Sequence, residues 1–511
     1  MQADFDWKKL QNSSDIRGVA LEGVPNEVVN LTSDIAEILG QSFALWLSQK
    51  SGKSVTDLTI AVGRDSRLSG PQLMAALMNG VASQGCQVYD FSVASTPAMF
   101  MSTVTPGWDC DGAIMLTASH LPFNRNGFKF FTPTGGADKP DITEILQLSQ
   151  IQAAQQRNNA AKAGEIIQCD FMSVYAANLA ATIQKGVNHL QNYDKPLKGF
   201  KIVVDAGNGA GGFYVDKVLR PLGVDTSGSQ FLEPDGHFPN HIPNPEDKTA
   251  IASIRQAVLD NHADFGIIFD TDVDRAAAVD SQGRELNRNR LIALMSAIIL
   301  KEHPESTIVT DSITSDGLTQ FIESKLKGKH HRYKRGYKNV INESIRLNQC
   351  GEESWLAIET SGHAALKENY FLDDGAYLVT KLLIELAKSK SANQTLTDLI
   401  IDLQEPQESE EFRLKINIED FKGYGNKVIE KLKIFAGQQE DWIIVPNNYE
   451  GIRVSCQSSV ENGWFLLRLS LHDPVIPLSI ESNVAGGIEQ ITNRLRGFFA
   501  AFDALDLSPF H

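Results

Sequence analysis

Two stretches of this chain combine residue types at spacings that could do chemistry. The first, Thr117-Ala118-Ser119-His120-Leu121-Pro122-Phe123-Asn124-Arg125-Asn126-Gly127-Phe128-Lys129, sets one serine in a turn-rich loop crowded with polar and cationic groups. A serine hydroxyl is a poor nucleophile without a base, a strong nearby positive charge or prior conversion to a phosphoester, and His120 and Lys129 are the local candidates to assist it. The alternative reading is a serine that only caps a turn. The second stretch is Asp270-Thr271-Asp272-Val273-Asp274-Arg275. Three carboxylates at alternate positions would share one face of a continuing strand and repel, whereas in a loop they can curl around a hard divalent cation with oxygen ligands. Magnesium suits such a site because it keeps positions open for water or a phosphate oxygen. The glycine and distant glutamate of an EF-hand calcium loop are missing, and a solvated acidic loop is the remaining alternative.

The elements that must carry these loops are legible from the pattern. Gly112-Ala113-Ile114-Met115-Leu116 is short, apolar and strand-like, and Pro122, Asn124, Asn126 and Gly127 forbid a helix after it, so Ser119 falls just past a strand end. The run Phe265-Gly266-Ile267-Ile268-Phe269 likewise reads as a buried strand that delivers the acidic triplet. Residues 58–63 read as a strand, 71–82 as a helix and 86–90 as the next strand, the alternation of a parallel sheet with crossover helices. Residues 201–205 begin a second such unit, and the glycine cluster at 206–212 lacks the spacing of a dinucleotide fingerprint, so it predicts a turn into a helix. Residues 307–311 begin a third.

Boundaries follow composition. The stretch 152–163 reads as a helix with polar flanks joining the first unit to the second, 280–283 as a turn near the next boundary, and 389–393 with 405–411 as the close of the third unit. An apolar strand at 464–471 and a closing helix at 488–499 predict a separate α+β domain. The expected domains are therefore 1–163, 164–282, 283–404 and 405–511.

Composition bounds the function. A chain of 511 residues, 42% hydrophobic, has room for three or four domains. A net charge of −16 argues against general binding to nucleic acid or anionic membrane, while leaving room for a local basic pocket. No apolar run approaches the roughly 18 residues that span a bilayer, and the first residues carry neither the basic nor the apolar region of a secretory signal. Five scattered cysteines without a C-x-x-C suit free thiols in a reducing compartment. The expected location is cytoplasmic, or a plastid if a transit peptide has been removed.

T-A-S-H…N-G-F-K and D-T-D-V-D-R together resemble two loops of the α-D-phosphohexomutase superfamily, whose members move a phosphoryl group between C1 and C6 of a hexose phosphate. Glu359-Thr360-Ser361-Gly362-His363 is similar to that family's sugar-reading loop, G-E-x-S-G-H, with Ile358 in place of the first glycine. It is preferred over Gly351-Glu352-Glu353-Ser354 because Ser361-Gly362-His363 completes the motif and Asp373-Asp374-Gly375 follows at the family's distance. Arg453-Val454-Ser455-Cys456-Gln457-Ser458 resembles the phosphate-binding loop R-x-S-x-T-x-P, with Gln457 for threonine and no proline. Asp15-Ile16-Arg17-Gly18 and Gly63-Arg64-Asp65-Ser66-Arg67 resemble first-domain segments, so the likeness runs from about residue 14 to the C-terminus.

The resemblance implies three consecutive α/β units with mixed, mainly parallel sheets plus a C-terminal α+β domain, four domains around a central cleft. It implies a monomeric mutase that interconverts hexose 1- and 6-phosphates of glucose or mannose through a phosphoserine and a hexose 1,6-bisphosphate activator. Ser119 would carry the phosphoryl group and, with Asp270, Asp272 and Asp274, hold Mg²⁺. Arg17, Arg275 and Lys129 would be the site's cations, and Lys129 or His363 would pass protons. His120 would position the phosphate or simply order its loop. Glu359 and Ser361 would read neighbouring sugar hydroxyls, or Thr360, Ser361 and Gly362 would cap a helix starting at Ala364. Arg453 and Ser455 would grip the phosphate that is not transferred. Ser312 stands where some bacterial members carry a lysine, and Lys334, Arg335 and Lys338 either compensate or form a basic surface turn. The alternative functions are a phosphoglucosamine or acetylglucosamine-phosphate mutase and a catalytically idle sugar-phosphate-binding homologue.

Overall fold

A computed structural model describes residues 5–154, 162–470 and 473–510, which pack as two compact units, Met1–Asn287 with Ser361–Leu396, and Arg288–Thr360 with Thr397–His511.

The first unit holds two sheets. In the larger, the strands run in the order Gln11–Asn12, Asp15–Val19, Arg125–Thr132, Gly112–Leu116, Thr59–Arg64, Gln87–Val93 and Ile166–Gln168. The last four are parallel and the first three join antiparallel, as the βα alternation predicts on one side and the tight Ser119 turn imposes on the other. Gly112–Leu116 is buried throughout, which is why it reads as an unbroken apolar run. Helices Ser33–Ser51, Gly70–Ser83 and Lys139–Ala154 supply Leu39, Phe43, Leu77, Val81 and Ile145 to the core beside Ile60, Val62, Ile114 and Phe130. The second sheet pairs Ile202–Asp205 in parallel with Phe265–Phe269, followed antiparallel by Ala276–Asp280 and Glu285–Leu286. The glycine cluster at 206–212 turns into a short π-helix, Tyr214–Leu219.

Two expectations near the first boundary differ from the structure. The larger sheet takes in Ile166–Gln168, beyond the expected boundary at 163, because that strand pairs with Gln87–Val93. The helix expected at 152–163 is the end of Lys139–Ala154; residues 162–165 are not helical and 155–161 lie outside the described residues. Residues 361–396 pack in the first unit, where the helix Gly375–Ser391 is seated: Tyr175 donates to Asp374 Oδ1 at 2.6 Å, Tyr214 and Thr380 share a hydrogen bond of 3.0 Å, and Gly186 lies against Ile384.

In the second unit, Thr307–Thr310 pairs in parallel with Lys329–Arg332 on one side and Ser354–Ile358 on the other. Its C-terminal part is an antiparallel sheet in the order Glu408–Lys415, Val475–Ser482, Gly463–Leu467, Ile452–Cys456 and Trp442–Ile444, backed by helices Phe421–Ala436 and Gly487–Phe499. The acidic stretch 405–411, read as the close of the third unit, runs into the edge strand Glu408–Lys415: Phe412 and Leu414 point into the core while Arg413 between them faces out. The strand expected at 464–471 ends at Leu467, and Leu471 lies outside the described residues. Among the described residues no helix is long and apolar enough to cross a membrane.

Helices Ser33–Ser51 and Gly70–Ser83 touch through two glycines. A Cβ on Gly40 would lie 2.2 Å from Leu77 O and one on Gly80 would lie 2.0 Å from Glu37 O. We expect Gly80→Ala to destabilise the protein by about 1–3 kcal/mol even though alanine is the better helix former, whereas Gly497→Ala, in a helix with open space around it, should stabilise it by up to about 1 kcal/mol. Denaturant titration of the two variants checks this; a Gly80→Ala protein as stable as its parent would mean the helices do not pack this closely.

Candidate active site

The Ser119 loop is built by one buried arginine. Arg67, with no exposed surface, donates to Ser119 O, to Leu121 O at 2.7 Å, to Pro122 O at 2.8 Å and to Arg125 O at 2.9 Å. Its counterion is Asp65, Oδ2 at 3.3 Å, whose carboxyl burial pushes up to about 6. A guanidinium has five donors in a fixed fork, and here they organise backbone carbonyls that no strand or helix satisfies. Arg17 adds Nη1 on Ala118 O at 3.1 Å, and Thr117 Oγ1 accepts from Ser119 N at 2.9 Å. Ser119 itself has φ +52°, the left-handed region that costs a non-glycine residue energy. Such strain at a nucleophile is held in place by these surrounding contacts.

The acidic loop meets that serine. Ser119 Oγ lies 3.5 Å from Asp270 Oδ2, 3.2 Å from His120 Nδ1 and accepts from Arg275 Nη2 at 3.1 Å. Arg275, buried, also donates to His120 Nδ1 at 2.8 Å, to Asp270 Oδ2 at 3.2 Å and to Asn244 Oδ1 at 3.0 Å. Lys129, on the strand Arg125–Thr132, donates to Asp272 Oδ2 at 3.0 Å and Asp274 Oδ2 at 2.5 Å. His363 pairs its backbone with Arg275, sets Nε2 3.9 Å from Asp274 Oδ1 and shares a hydrogen bond of 2.8 Å with Ser361. Val273 takes φ +67°, unusual for a β-branched residue, and Gly375 packs so close to Arg275 that a Cβ would lie 2.6 Å from its carbonyl carbon. The structure therefore brings Arg17, Ser119, His120, Lys129, Asp270, Asp272, Asp274, Arg275, Ser361 and His363 together in the first unit. The helix expected after Gly362 is instead the strand Ala364–Leu366, which removes the capping alternative for Ser361.

Electrostatics point to a cation. Burial and the neighbouring Asp274 and Asp272 carboxylates push Asp270 well above the usual carboxylate range. Burial would raise Asp274 too, but the Lys129 and Arg275 cations hold it well below. Burial, reinforced by Arg275, pushes His120 down to about 3, and burial likewise pushes His363 down to about 3, so both imidazoles are neutral. Each of the three aspartates offers an oxygen within 4.8 Å of the others, and Asp272 Oδ1 and Asp274 Oδ1 are buried without a hydrogen-bond partner. Buried carboxylate oxygens without donors fit a hard divalent cation.

Glu359, Arg453 and Ser455 lie in the second unit. Glu359 is buried and accepts from Gly336 N at 2.6 Å, in the turn that carries Lys334 and Arg335; Lys338, read with them as a basic turn, lies instead in the helix Tyr337–Gln349. Ser455 is half-buried on the strand Ile452–Cys456.

Comparison with known proteins decides the family. Three phosphoglucomutase/phosphomannomutase domain models match in order, α/β/α domain I over residues 8–157, domain II over 178–283 and domain III over 287–405. The chain belongs to the phosphoglucomutase/phosphomannomutase family. It is 28% identical over 484 residues to a phosphoglucomutase of Neisseria gonorrhoeae, covering 94% of this chain and 95% of that one. It is 30% identical to a phosphomannomutase/phosphoglucomutase of Pseudomonas syringae pv. tomato, covering 91% and 92%. Among solved structures it is similar to a phosphoglucomutase/phosphomannomutase family protein of Burkholderia thailandensis, with TM-score 0.76, 26% identity and 96% of each chain covered.

The resemblance placed the family's phosphate-binding loop at Arg453, and the structure shows that side chain engaged within the fold. Arg453 is not available as an open fork. It is buried, stacks 3.6 Å over the Trp464 ring, and donates to Ser312 O at 2.9 Å, Thr314 O at 3.0 Å and Asp316 Oδ1 at 2.9 Å. Burial and the neighbouring Arg332 lower it to about 9. The family pattern R-x-S-x-T-x-P recurs fifteen positions later as Arg468-Leu469-Ser470-Leu471-His472-Asp473-Pro474, which keeps the arginine, the serine and the proline. The proline missing from the Arg453 frame was the signal. Arg468 is 12% exposed, its nearest carboxylate is Glu411 at 3.8 Å, its Nε has no hydrogen-bond partner, and burial together with Arg335 lowers its affinity for a proton. A bound dianion relieves that circumstance. Arg67 and Asn244 were also missed; nothing in their local pattern distinguishes a surface polar residue from one that orders a loop far along the chain.

Two substitutions separate the frames. Arg468→Ala should lower kcat/KM about a hundredfold, the ~2–3 kcal/mol of a charged contact, with unchanged thermal stability. Arg453→Ala should instead lower the melting temperature, because it takes the Arg453 donor from Ser312 O and Thr314 O and leaves Asp316 to Arg332 alone. Steady-state kinetics and thermal denaturation of the pair check this, and the reverse pattern would restore the Arg453 frame.

Proposed function

We propose that this chain is a Mg²⁺-dependent phosphohexomutase that interconverts the 1- and 6-phosphates of glucose, mannose or both, with Ser119 as the phosphoryl carrier. The observation that carries the reading is the convergence of Ser119 Oγ, Arg275 Nη2 and Asp270 Oδ2 within 3.5 Å at the junction of two loops from different sheets. Phosphoryl transfer needs an in-line nucleophile and positive groups that neutralise charge on the phosphoryl oxygens, and the site supplies them.

In the forward half-reaction a sugar hydroxyl oxygen attacks the phosphorus of phosphorylated Ser119, the P–O bond to Ser119 breaks, and the serine oxygen leaves as the acceptor for the return transfer. Lys129 and His363 are the two groups placed to carry the hydroxyl proton. Arg275 donates to the serine oxygen and keeps it aligned, and His120 Nδ1 accepts from Arg275 and orients it. Arg17 anchors the loop on its other side. Asp270, Asp272 and Asp274, with the phosphoserine, would hold the cation, which when bound draws charge from the phosphoryl oxygens. Glu359 and Ser361 read sugar hydroxyls, and Arg468 and Ser470 take the phosphate that stays. A hexose 1,6-bisphosphate then primes Ser119. The proposal includes a monomer acting in the cytoplasm on small sugar phosphates, with domains divided as expected from sequence except that the first extends through Gln168.

Ser119→Ala should cut turnover at least about a thousandfold, ~4 kcal/mol of barrier, and remove the phosphate that peptide mass spectrometry finds on Ser119 in the parent. Residual turnover within tenfold of the parent would sink the carrier role. Exhaustive chelation should abolish a coupled assay on glucose 1-phosphate and mannose 1-phosphate, and added Mg²⁺ should restore it. Turnover of glucosamine phosphates in preference to both neutral sugars would reassign the substrate.

A further inference from the structure

Asp272 is held at two points by a residue from the other sheet. Thr96 opens the short helix Thr96–Met101 that follows the strand Gln87–Val93, with Ser95 Oγ capping it through Ala98 N at 3.3 Å. A residue at the first helical position has an N–H with no partner inside the helix. Here that N–H donates to Asp272 O at 2.8 Å, and the Thr96 hydroxyl donates to Asp272 Oδ2 at 2.5 Å. Both donors of Thr96 therefore go to one residue of the acidic loop, and Thr96 is buried. Its β-branched side chain has few rotamers, so the hydroxyl is aimed by the backbone and not by chance.

The consequence falls on the other oxygen. With Thr96 and Lys129 both on Oδ2, Asp272 cannot rotate its carboxylate freely, and Oδ1, buried and without a hydrogen-bond partner, is the oxygen left for a cation. The triad's holders differ in charge. Asp270 is oriented by Arg275 and Asp274 by Lys129, whereas Asp272 has the neutral Thr96 hydroxyl beside the Lys129 ammonium. A positive holder competes electrostatically with a bound metal, whereas a neutral hydroxyl orients its carboxylate without adding charge. Partners of this kind commonly change metal affinity 10–100-fold.

We infer that Thr96 is a positioning residue for the divalent cation, fixing Asp272 so that Oδ1 faces the metal and tying the acidic loop of one sheet to the helix that leaves the other. The inference rests on the reading of Asp272 as a metal ligand, and the test separates the two.

Binding of Mn²⁺, read from the loss of free-ion electron paramagnetic resonance signal, is measured on the full chain at uniform Ser119 phosphorylation for the parent, Thr96→Val, Thr96→Ser and Asp272→Asn. Thr96→Val, nearly isosteric but without the hydroxyl, should weaken Mn²⁺ binding about tenfold or more, and Thr96→Ser should recover most of it. If Thr96→Val does not fold, Thr96→Ala removes the same hydroxyl and takes its place. Parent-like binding by Thr96→Val beside weakened binding by Asp272→Asn overturns the role of Thr96 and leaves the metal reading standing. Thr96→Ser as weak as Thr96→Val also overturns it, because the hydroxyl is retained. Parent-like binding by Asp272→Asn removes Asp272 from the ligand set and the inference with it.

Discussion

Three carboxylates are buried at the end of one strand, and the rest of the first unit is arranged to make that tolerable. An uncompensated buried carboxylate costs several kcal/mol in an apolar interior, so Asp270, Asp272 and Asp274 need counter-charge from elsewhere. Arg275 supplies it from the same loop and Lys129 from the strand that follows the serine. The acidic loop and the serine loop are thus partners by electrostatic necessity before any substrate arrives. The two oxygens left without donors, on Asp272 and Asp274, are what a divalent cation completes.

That arrangement asks for unusual backbone. Ser119 and Val273 both sit at positive φ, one in each loop, and neither residue type adopts it freely. The strain is sustained by contacts of long sequence reach: Arg67 on four carbonyls, Thr96 on Asp272, and the N–H of Gly375 on Val273 O at 3.0 Å. Gly375 is where a helix end meets the acidic loop too closely for any side chain. Strain held this way is a property of the site and not of the segment.

The second unit solves a different problem with the same residue type. Arg453 and Arg332 share Asp316 and the carbonyls around it, so the loop 312–316 is pinned by one arginine from each sheet. Arg453 joins the C-terminal sheet to the parallel one. Arg468, two strands' turn away in the chain, has only the 3.8 Å approach of Glu411 and lies near Arg335. Both arginines leave Nε without a hydrogen-bond partner, but the terminal nitrogens of Arg453 are taken up by Ser312, Thr314 and Asp316, and Arg468 has no such set of acceptors among the described residues.

Sequence alone determined the α/β class, the strands that deliver Ser119 and the aspartates, and the pairing of those two loops in one family. These are local matters: a buried strand is an apolar run, and a loop that must bend and bind is written in proline, glycine, asparagine and aspartate. The capping alternative at Ser361 and the close of the third unit at 405–411 went the other way, because helix and strand membership there follow from what the segment packs against. The contrast is sharpest for two arginines in similar R-x-S settings, Arg453 and Arg468. Which one is occupied depends on carbonyls more than a hundred residues away, and only tertiary structure brings those within reach of a guanidinium. Arg67 and Thr96 belong to the same class, since their meaning lies in partners that chain folding supplies and local spacing does not encode.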